Sequence, residues 1–421
     1  MTKRCLFVIR DLPRPVVSSA AFVLGEEALS GTHTSGLLVA EGLARRGVEV
    51  GLCIVHGQTV ADSAVRRFQT LEAATDWIDG GLVIWLSYGD NSIMDQLSAA
   101  GLKPVLWTEI PVSKSNREWL EIGRIQGIVA VSDTCRVPML RSSKHDRVGR
   151  IYNPLAPLFS NSVAHPADRF ERRVVVYAGA AGTTKGLHRL LEMWKFAHRA
   201  DPAAKLVLAG TGKLYGDERE LGPFGIASPE FESRYVAPLA AEFGSLAGAE
   251  LEVAGLLSPR ELRDVYAAAS LGVVNMNWSE YTETFCCAAV EMLATGLPVF
   301  SVARAALPET IGLSGGAVLT EMECPEQAAR EFNALLANPT RLSKLGLAGQ
   351  KYVRREYDVE RIVDAWERLL HHGDDIESLC GSWRGPKTPQ YLAELIAGRL
   401  RAPWLIDVPV GGLHMLKRAL G

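Results

Sequence analysis

The chain has no run approaching the roughly 18 apolar residues that a membrane-crossing helix requires. Its opening, MTKRCLFVIRD, reaches Arg10 after an apolar stretch of only five residues, too short a core for a secretory leader. The seven cysteines (Cys5, Cys53, Cys135, Cys286, Cys287, Cys324, Cys380) form no C-x-x-C pair. Their odd number and scattered spacing suit neither a disulfide framework nor a zinc site and fit a reducing compartment. Charge of one sign is also scarce. A net charge of -3 and a pI near 6.3 exclude a general nucleic-acid binder. GTGKLYG (210–216) is not G-x-G-x-x-G, so the dinucleotide fingerprint is missing as well.

What remains is an ordinary globular balance: 421 residues, 48% hydrophobic and 22% charged. That is enough chain for two domains and an appendage. Short apolar runs alternate with polar-patterned segments. CLFVI (5–9), VEVGLCIV (48–55), GLVIWL (81–86), KPVLW (103–107) and GIVAVS (127–132) read as strands, with helices such as TSGLLVAEGLARRG (34–47) between them. After RIYNPLAPLF (150–159) a second block begins with RRVVVYAG (172–179), the helix GLHRLLEMWKFAHRADP (186–202) and KLVLAGTG (205–212). LEVAGLL (251–257), SPRELRDVYAAAS (258–270), LGVVNM (271–276) and LPVFSV (297–302) continue it. The 213–249 stretch is long for a connection and reads as containing an inserted element.

This alternation predicts two doubly wound Rossmann-like α/β domains in tandem, facing each other across a cleft. The boundaries expected are 1–165 for an acceptor-binding domain, 166–356 for a donor-binding domain, and 357–421 for a crossing helix and a basic tail. In such sheets ligands bind beyond the carboxyl ends of the strands.

One segment stands out within that pattern. In EYTETFCCAAVEML (280–293), Glu283 and Glu291 are eight apart and the seven residues between them carry no charge. CCAAVEMLAT reads as a helix ended by Gly296. Glu283 and Thr284 then lie at its N-terminus, where free N–H groups and the helix dipole favour an anion. A charged carboxylate so far along an apolar helix is costly without a hydrogen-bond partner. The paired hydroxyls of a ribose would supply two donors. The residues alone leave a second reading open, in which Glu291 is partly exposed and Glu283 is a helix cap.

E-T-F-x6-E-M-L-A-x-G-L-P-V resembles the paired-glutamate motif of retaining GT-B glycosyltransferases, group 1 (family four). YAGAAGTTKGLHRLLEMW (177–194), DPAAKLVLAGTG (201–212), GLLSPRELRDVYAAAS (255–270) and LPETIG (307–312) resemble further segments of that family. The likeness is good over about 175–315 and weak in the N-terminal half. It implies that Glu291 binds the donor ribose and that Glu283 contacts a hydroxyl of the donor sugar. It implies that the amides of Thr284 and Phe285 line the same pocket. By the same resemblance Lys185, after the glycine turn that opens at Gly179, neutralises the diphosphate, and the turn at Gly255 and Leu257 holds the base. SGTHTSGLLVAEGLARRG (30–47) resembles the family's first glycine loop, placing N–H groups near Gly31 and Thr32 on the leaving phosphate.

Two positions depart from that pattern. The family usually carries arginine where Ala180 follows Gly179, and Arg304, Arg173 or an N-domain arginine is a candidate substitute. Many members place a histidine after the fourth N-domain strand, where this chain has Glu109. Glu109 is expected either to orient the donor sugar or acceptor, or to be a plain capping carboxylate. His33 is either an acceptor contact or a polar loop residue, and Cys286 and Cys287 are simplest as core packing.

The resemblance implies an enzyme that moves a sugar, a hexose in this reading, from a nucleotide diphosphosugar to an acceptor hydroxyl. It implies no cofactor and no metal, and no D-x-D motif stands at a strand end. The acceptor expected is a glycan, a lipid-linked glycan or a small molecule, with no nucleic acid involved. The place expected is the cytoplasm. The tail, with six basic and two acidic residues over 381–421, is a candidate for a peripheral membrane surface. Two competing readings are a nucleotide-sugar binding protein without turnover and a nucleotide-cofactor oxidoreductase.

Overall fold

Strands covered on both faces need the dense Val, Ile and Leu content that the short runs carry. In the computed structural model they form two sheets, parallel throughout. The structure describes residues 4–10, 30–55, 64–86, 91–140, 142–161, 164–213, 220–279, 283–371, 376 and 384–385. The basic tail beyond 385, loops 11–29 and 56–63, and residues 280–282 lie outside them.

The first sheet contains β1 (Arg4–Arg10), β2 (Glu49–Val55), β3 (Arg66–Phe68), β4 (Leu82–Leu86), β5 (Val105–Thr108), β6 (Gly127–Ala130) and β7 (Val148–Arg150). Its order is β3-β2-β1-β4-β5-β6-β7. The second contains β8 (Val174–Ala178), β9 (Lys205–Ala209), β10 (Leu251–Gly255), β11 (Leu271–Val273), β12 (Val299–Val302) and β13 (Ala317–Thr320), in the order β10-β9-β8-β11-β12-β13. Strand order therefore reverses between β1 and β4 and again between β8 and β11. These reversals open the crevices where doubly wound sheets take ligands.

The sequence reading finds every interior strand and passes over β3, β7 and β13. All three are edge strands of three or four residues, and an edge needs no long apolar run. The insertion after β9 is a short helical block: Pro229–Phe231, a π-helical turn Glu232–Val236, and Ala237–Glu242.

The two domains share an apolar seam. Tyr152 of the first packs 6.0 Å from Phe285 of the second, and both contact Tyr357, at 5.3 and 5.0 Å. Past Tyr357 the chain crosses back. Helix Val359–His371 lies on helix Gly31–Arg45 of the first domain. Trp366 is fully buried there, 4.5 Å from Trp107 and 6.5 Å from Phe7. Arg46 reaches Glu360, Asp364 and Glu367 on the same helix, at 2.7, 2.5 and 2.9 Å. Further on, Ile376 is fully buried over Gly127 and Gly149 of β6 and β7. A Cβ on Gly127 would come within 2.0 Å of it.

Candidate active site

Lys185 and Glu283 follow the carboxyl ends of β8 and β11, the two strands that flank the reversal of the second sheet. Lys185 ends the turn after β8. That turn is held from several sides. The Tyr177 hydroxyl donates to the carbonyls of Ala180 and Lys185, at 3.2 and 3.3 Å. Asn277 donates to the carbonyls of Thr183 and Thr184, at 3.1 and 3.3 Å. Gly186, with φ of 70°, presses so close to residues 276–277 that a Cβ would sit 2.3 Å from the Asn277 nitrogen. Gly179 meets Gly210 in the same way, and a Cβ on Gly210 would lie 2.1 Å from the Gly179 carbonyl. Gly255 accepts from the Gly210 amide at 2.7 Å, so Gly210 links the two predicted site glycines of this sheet, Gly179 and Gly255. Leu257 is half-buried in the following turn.

After β11, Glu283 sits beneath Lys185. The ammonium donates to both carboxylate oxygens, at 3.1 and 3.0 Å. Asn275 donates to one oxygen at 3.0 Å and the Cys286 amide to the other at 3.1 Å. The residues assigned to diphosphate and sugar are thus each other's counter-ion here. Cys286 adopts a left-handed conformation, φ 49°, just before helix Cys287–Ala294. For a residue with a Cβ that costs roughly 1–2 kcal/mol, and it turns the amide onto Glu283.

Glu291 lies in that helix. It keeps some surface open to solvent but is ringed by protein, and burial pushes its carboxyl up to about 7. It has no hydrogen bond or ion pair among the described residues. Phe285 is buried in the seam, and Thr284 donates its hydroxyl to the Glu109 carbonyl at 2.7 Å.

The first domain closes over this helix start. Gly31 and Thr32 are not a loop but the first turn of helix Gly31–Arg45, capped by Ser30. A Cβ on Gly31 would stand 2.6 Å from Cys287 Sγ. Two helix N-termini therefore meet at one point, which concentrates positive potential there. His33 is buried and pairs with Ser30 Oγ at 2.7 Å; it belongs to the cap. Cys286 and Cys287 are half-buried at the seam, so they are not interior packing alone.

Glu109 directly follows β5, the fifth strand in chain order because the short β3 intervenes. It is 8% exposed. Asn153 donates to one carboxylate oxygen at 2.8 Å, while the other is buried with no partner. Burial pushes this carboxyl up to about 7, with the Asn153 bond opposing.

Of the two named arginines, Arg173 does not substitute at Ala180. Arg173 stands just before β8, at the far end of the sheet, paired with Asp201 at 2.7 Å. Arg304 follows β12 but is held by Glu323 at 2.7 Å.

The sequence motifs assign no role to Asn275, Asn277, Asn153 or Glu309. Asparagines straight after an apolar strand, as in VVNMNW, are a visible signal. Glu309 has none. From the second domain it accepts the Asp133 and Thr134 amides at 2.7 and 3.0 Å, the Thr134 hydroxyl at 3.1 Å and the Tyr152 hydroxyl at 3.0 Å. Burial, then the neighbouring Asp133 charge, raises its carboxyl pKa. Asp133 in turn binds Arg136 and Arg150 and accepts the backbone amides of Arg384 and Gly385. Among the described residues no group of three His, Cys, Asp or Glu could hold a metal, and no helix is long and apolar enough to cross a membrane.

Comparison with known proteins bears on the fold. The family described as glycosyl transferases group 1 matches residues 164–352. A D-inositol 3-phosphate glycosyltransferase of Segniliparus rotundus is 29% identical over 204 residues, 48% of this chain and 41% of that one. The chain spans less than half the length of the curated relatives it matches. A sucrose-phosphate synthase from Thermosynechococcus elongatus superposes with a TM-score of 0.66 at 16% identity, over 88% of this chain and 98% of that one. Anabaena HepE in complex with UDP and glucose superposes with a TM-score of 0.60 at 14% identity, over 88% and 99%. At these identities the superpositions establish a shared fold, GT-B, with its two parallel-sheet Rossmann-like domains.

Proposed function

From the match of residues 164–352 to the glycosyl transferases group 1, we propose that the chain belongs to that family and transfers a sugar from a nucleotide diphosphosugar to an acceptor hydroxyl with retention of configuration. The observation that carries the reading is the meeting of Lys185, Glu283, Glu291 and two helix N-termini where both sheets reverse.

Departure of the nucleotide diphosphate is the hard step, because negative charge grows on the leaving oxygens. Lys185, the amides of Thr284 and Phe285 and the helix start at Gly31 and Thr32 stabilise that charge in place. This assignment gives the task to the chain's own groups and calls on no metal. Glu291 accepts from the ribose hydroxyls, which removes the cost of an unpaired buried carboxylate. As Lys185 turns to the diphosphate, Glu283 keeps its bonds from Asn275 and the Cys286 amide and takes a sugar hydroxyl in place of the ammonium. The acceptor attacks on the face the phosphate leaves, and the phosphate oxygen takes its proton. Glu109, above Thr284, orients the sugar or the acceptor. The closed seam excludes water that would hydrolyse the donor. The transferred unit in this reading is a hexose. The setting is cytoplasmic synthesis of a surface polysaccharide, lipid-linked glycan or glycoconjugate, with the basic tail as a candidate contact to the membrane face.

Thermal-shift screening against UDP, GDP, ADP and their sugars tests the reading. One nucleotide series should stabilise the protein, and Lys185→Ala or Glu291→Ala should weaken that binding about tenfold or more, the worth of a hydrogen bond to a charged group. If neither substitution changes the shift, the site is elsewhere. A second reading, a nucleotide-sugar binding protein without turnover, draws support from Ala180 and from the engagement of Arg173 and Arg304 elsewhere. Binding with neither transfer nor donor hydrolysis across many acceptors would favour it.

A further inference from the structure

The inserted block after β9 builds a second recess. It has a volume of about 380 Å³ and is lined by His188, Arg189, Glu192, Lys195, Arg234 and Tyr235. None of Glu109, Lys185, Glu283 or Glu291 lines it. One wall is helix Leu187–Ala200, and the other is the π-helical turn Glu232–Val236. Such turns are rare, and they recur at functional sites because they re-aim side chains at a cost in backbone geometry. This one is pinned. The fully buried Glu232 accepts the amides of Phe224, Ile226 and Ala227 at 2.7, 2.6 and 2.9 Å. Arg234 and Tyr235 are thereby held opposite the helix.

The lining has an excess of positive charge. Among the described residues Glu192 is its only carboxylate, and Arg189 already binds it at 3.0 Å. Lys195 and Arg234 have no carboxylate partner among the described residues, and Arg234 lies only over the Tyr235 ring, 5.3 Å from its centre. Arg189 has a buried Nε–H with no acceptor. Buried donors of this kind are costly until an acceptor arrives, and arginine forks match phosphate and carboxylate oxygens in pairs. The recess is larger than one such group needs. Its remaining wall is the Tyr235 ring, 5.3 Å from the His188 ring, with the outer oxygen of Glu192 beside it as an acceptor for hydroxyls.

We propose that this recess is a second binding site, separate from the interdomain cleft, for an anionic saccharide: a sugar ring carrying a phosphate or a carboxylate. Arg189, Lys195 and Arg234 take the anion, Tyr235 faces the ring, and Glu192 accepts from its hydroxyls. The site stands independently of the transfer reaction. The ligand is either a free sugar acid or sugar phosphate, or an acidic unit of a glycan, and the chemistry read is the same.

The test is calorimetric titration of the full chain with UDP, GDP and ADP present in excess, so that the cleft is filled. The probes are glucose 6-phosphate, glucuronate, an oligosaccharide ending in glucuronate, glucose and inorganic phosphate. Either charged sugar should bind at least tenfold more tightly than both glucose and inorganic phosphate, and binding should weaken with salt. Tighter binding of the oligosaccharide would assign the site to a glycan, and tighter binding of the monosaccharides to a free metabolite. The double variant Lys195→Met with Arg234→Ala removes two side chains at least partly open to solvent and should lose at least tenfold, while its nucleotide binding stays within twofold. Equal binding of glucose or inorganic phosphate, undiminished binding in the double variant, or no binding of either charged sugar while the nucleotides are present would overturn the proposal.

Discussion

Glu109 and Glu291 are two carboxyls that the fold leaves short of donors. Both are pushed from the usual 4.5 to about 7 by burial. A folded-state pKa above the unfolded value means that the native state keeps a proton the unfolded chain has released. Stability is then fully present below about pH 4.5 and falls as pH rises towards 7. Glu109 is the better test because it is the more buried. Glu109→Gln keeps the shape and removes the charge. Its melting temperature should match wild type near pH 5 and exceed it at pH 8, by no more than about 3 kcal/mol in free energy. An equal difference at both pH values, in melts followed by circular dichroism, would show that charge is not the cause. Glu291 was legible in the sequence because an ionisable group in an apolar helix is conspicuous. Glu309 was not, because its donors Asp133 and Thr134 are 176 and 175 residues away and only folding brings them near.

At the scale of elements, Glu309 acts as a cap supplied in trans. It satisfies the first amides of helix Asp133–Arg136 from the other domain. Glu309→Ala would leave those amides and the Tyr152 hydroxyl buried without an acceptor, at a cost of about 3–5 kcal/mol. The seam should loosen, so small-angle scattering should report a larger radius of gyration while far-ultraviolet circular dichroism stays near wild type. An unchanged radius would mean that the apolar contacts among Tyr152, Phe285 and Tyr357 hold the domains by themselves. The same scale explains what the sequence gives of the fold. Interior strands such as VVVYA and LVIWL must be apolar on both faces and so declare themselves. The edge strand RRF carries two arginines and is recognisable only once β2 lies beside it.

At the scale of the whole molecule, the two domains are not folded end to end like beads. Trp366 comes from the last described helix, yet it fills the first domain against Trp107 and Phe7. Trp366→Ala should cost about 3–5 kcal/mol and should lower the first domain's transition in a calorimetric melt more than the second's. Equal lowering of both would indicate that the halves melt as one unit. There is also a consequence for biogenesis. A ribosome delivers residues 4–150 well before 359–376, so the leading lobe emerges with its aromatic plug still unmade and must wait, exposed, for the rest of the polypeptide. Nascent-chain truncations ending before Val359 should therefore recruit chaperones, and release from them should coincide with the arrival of that closing segment.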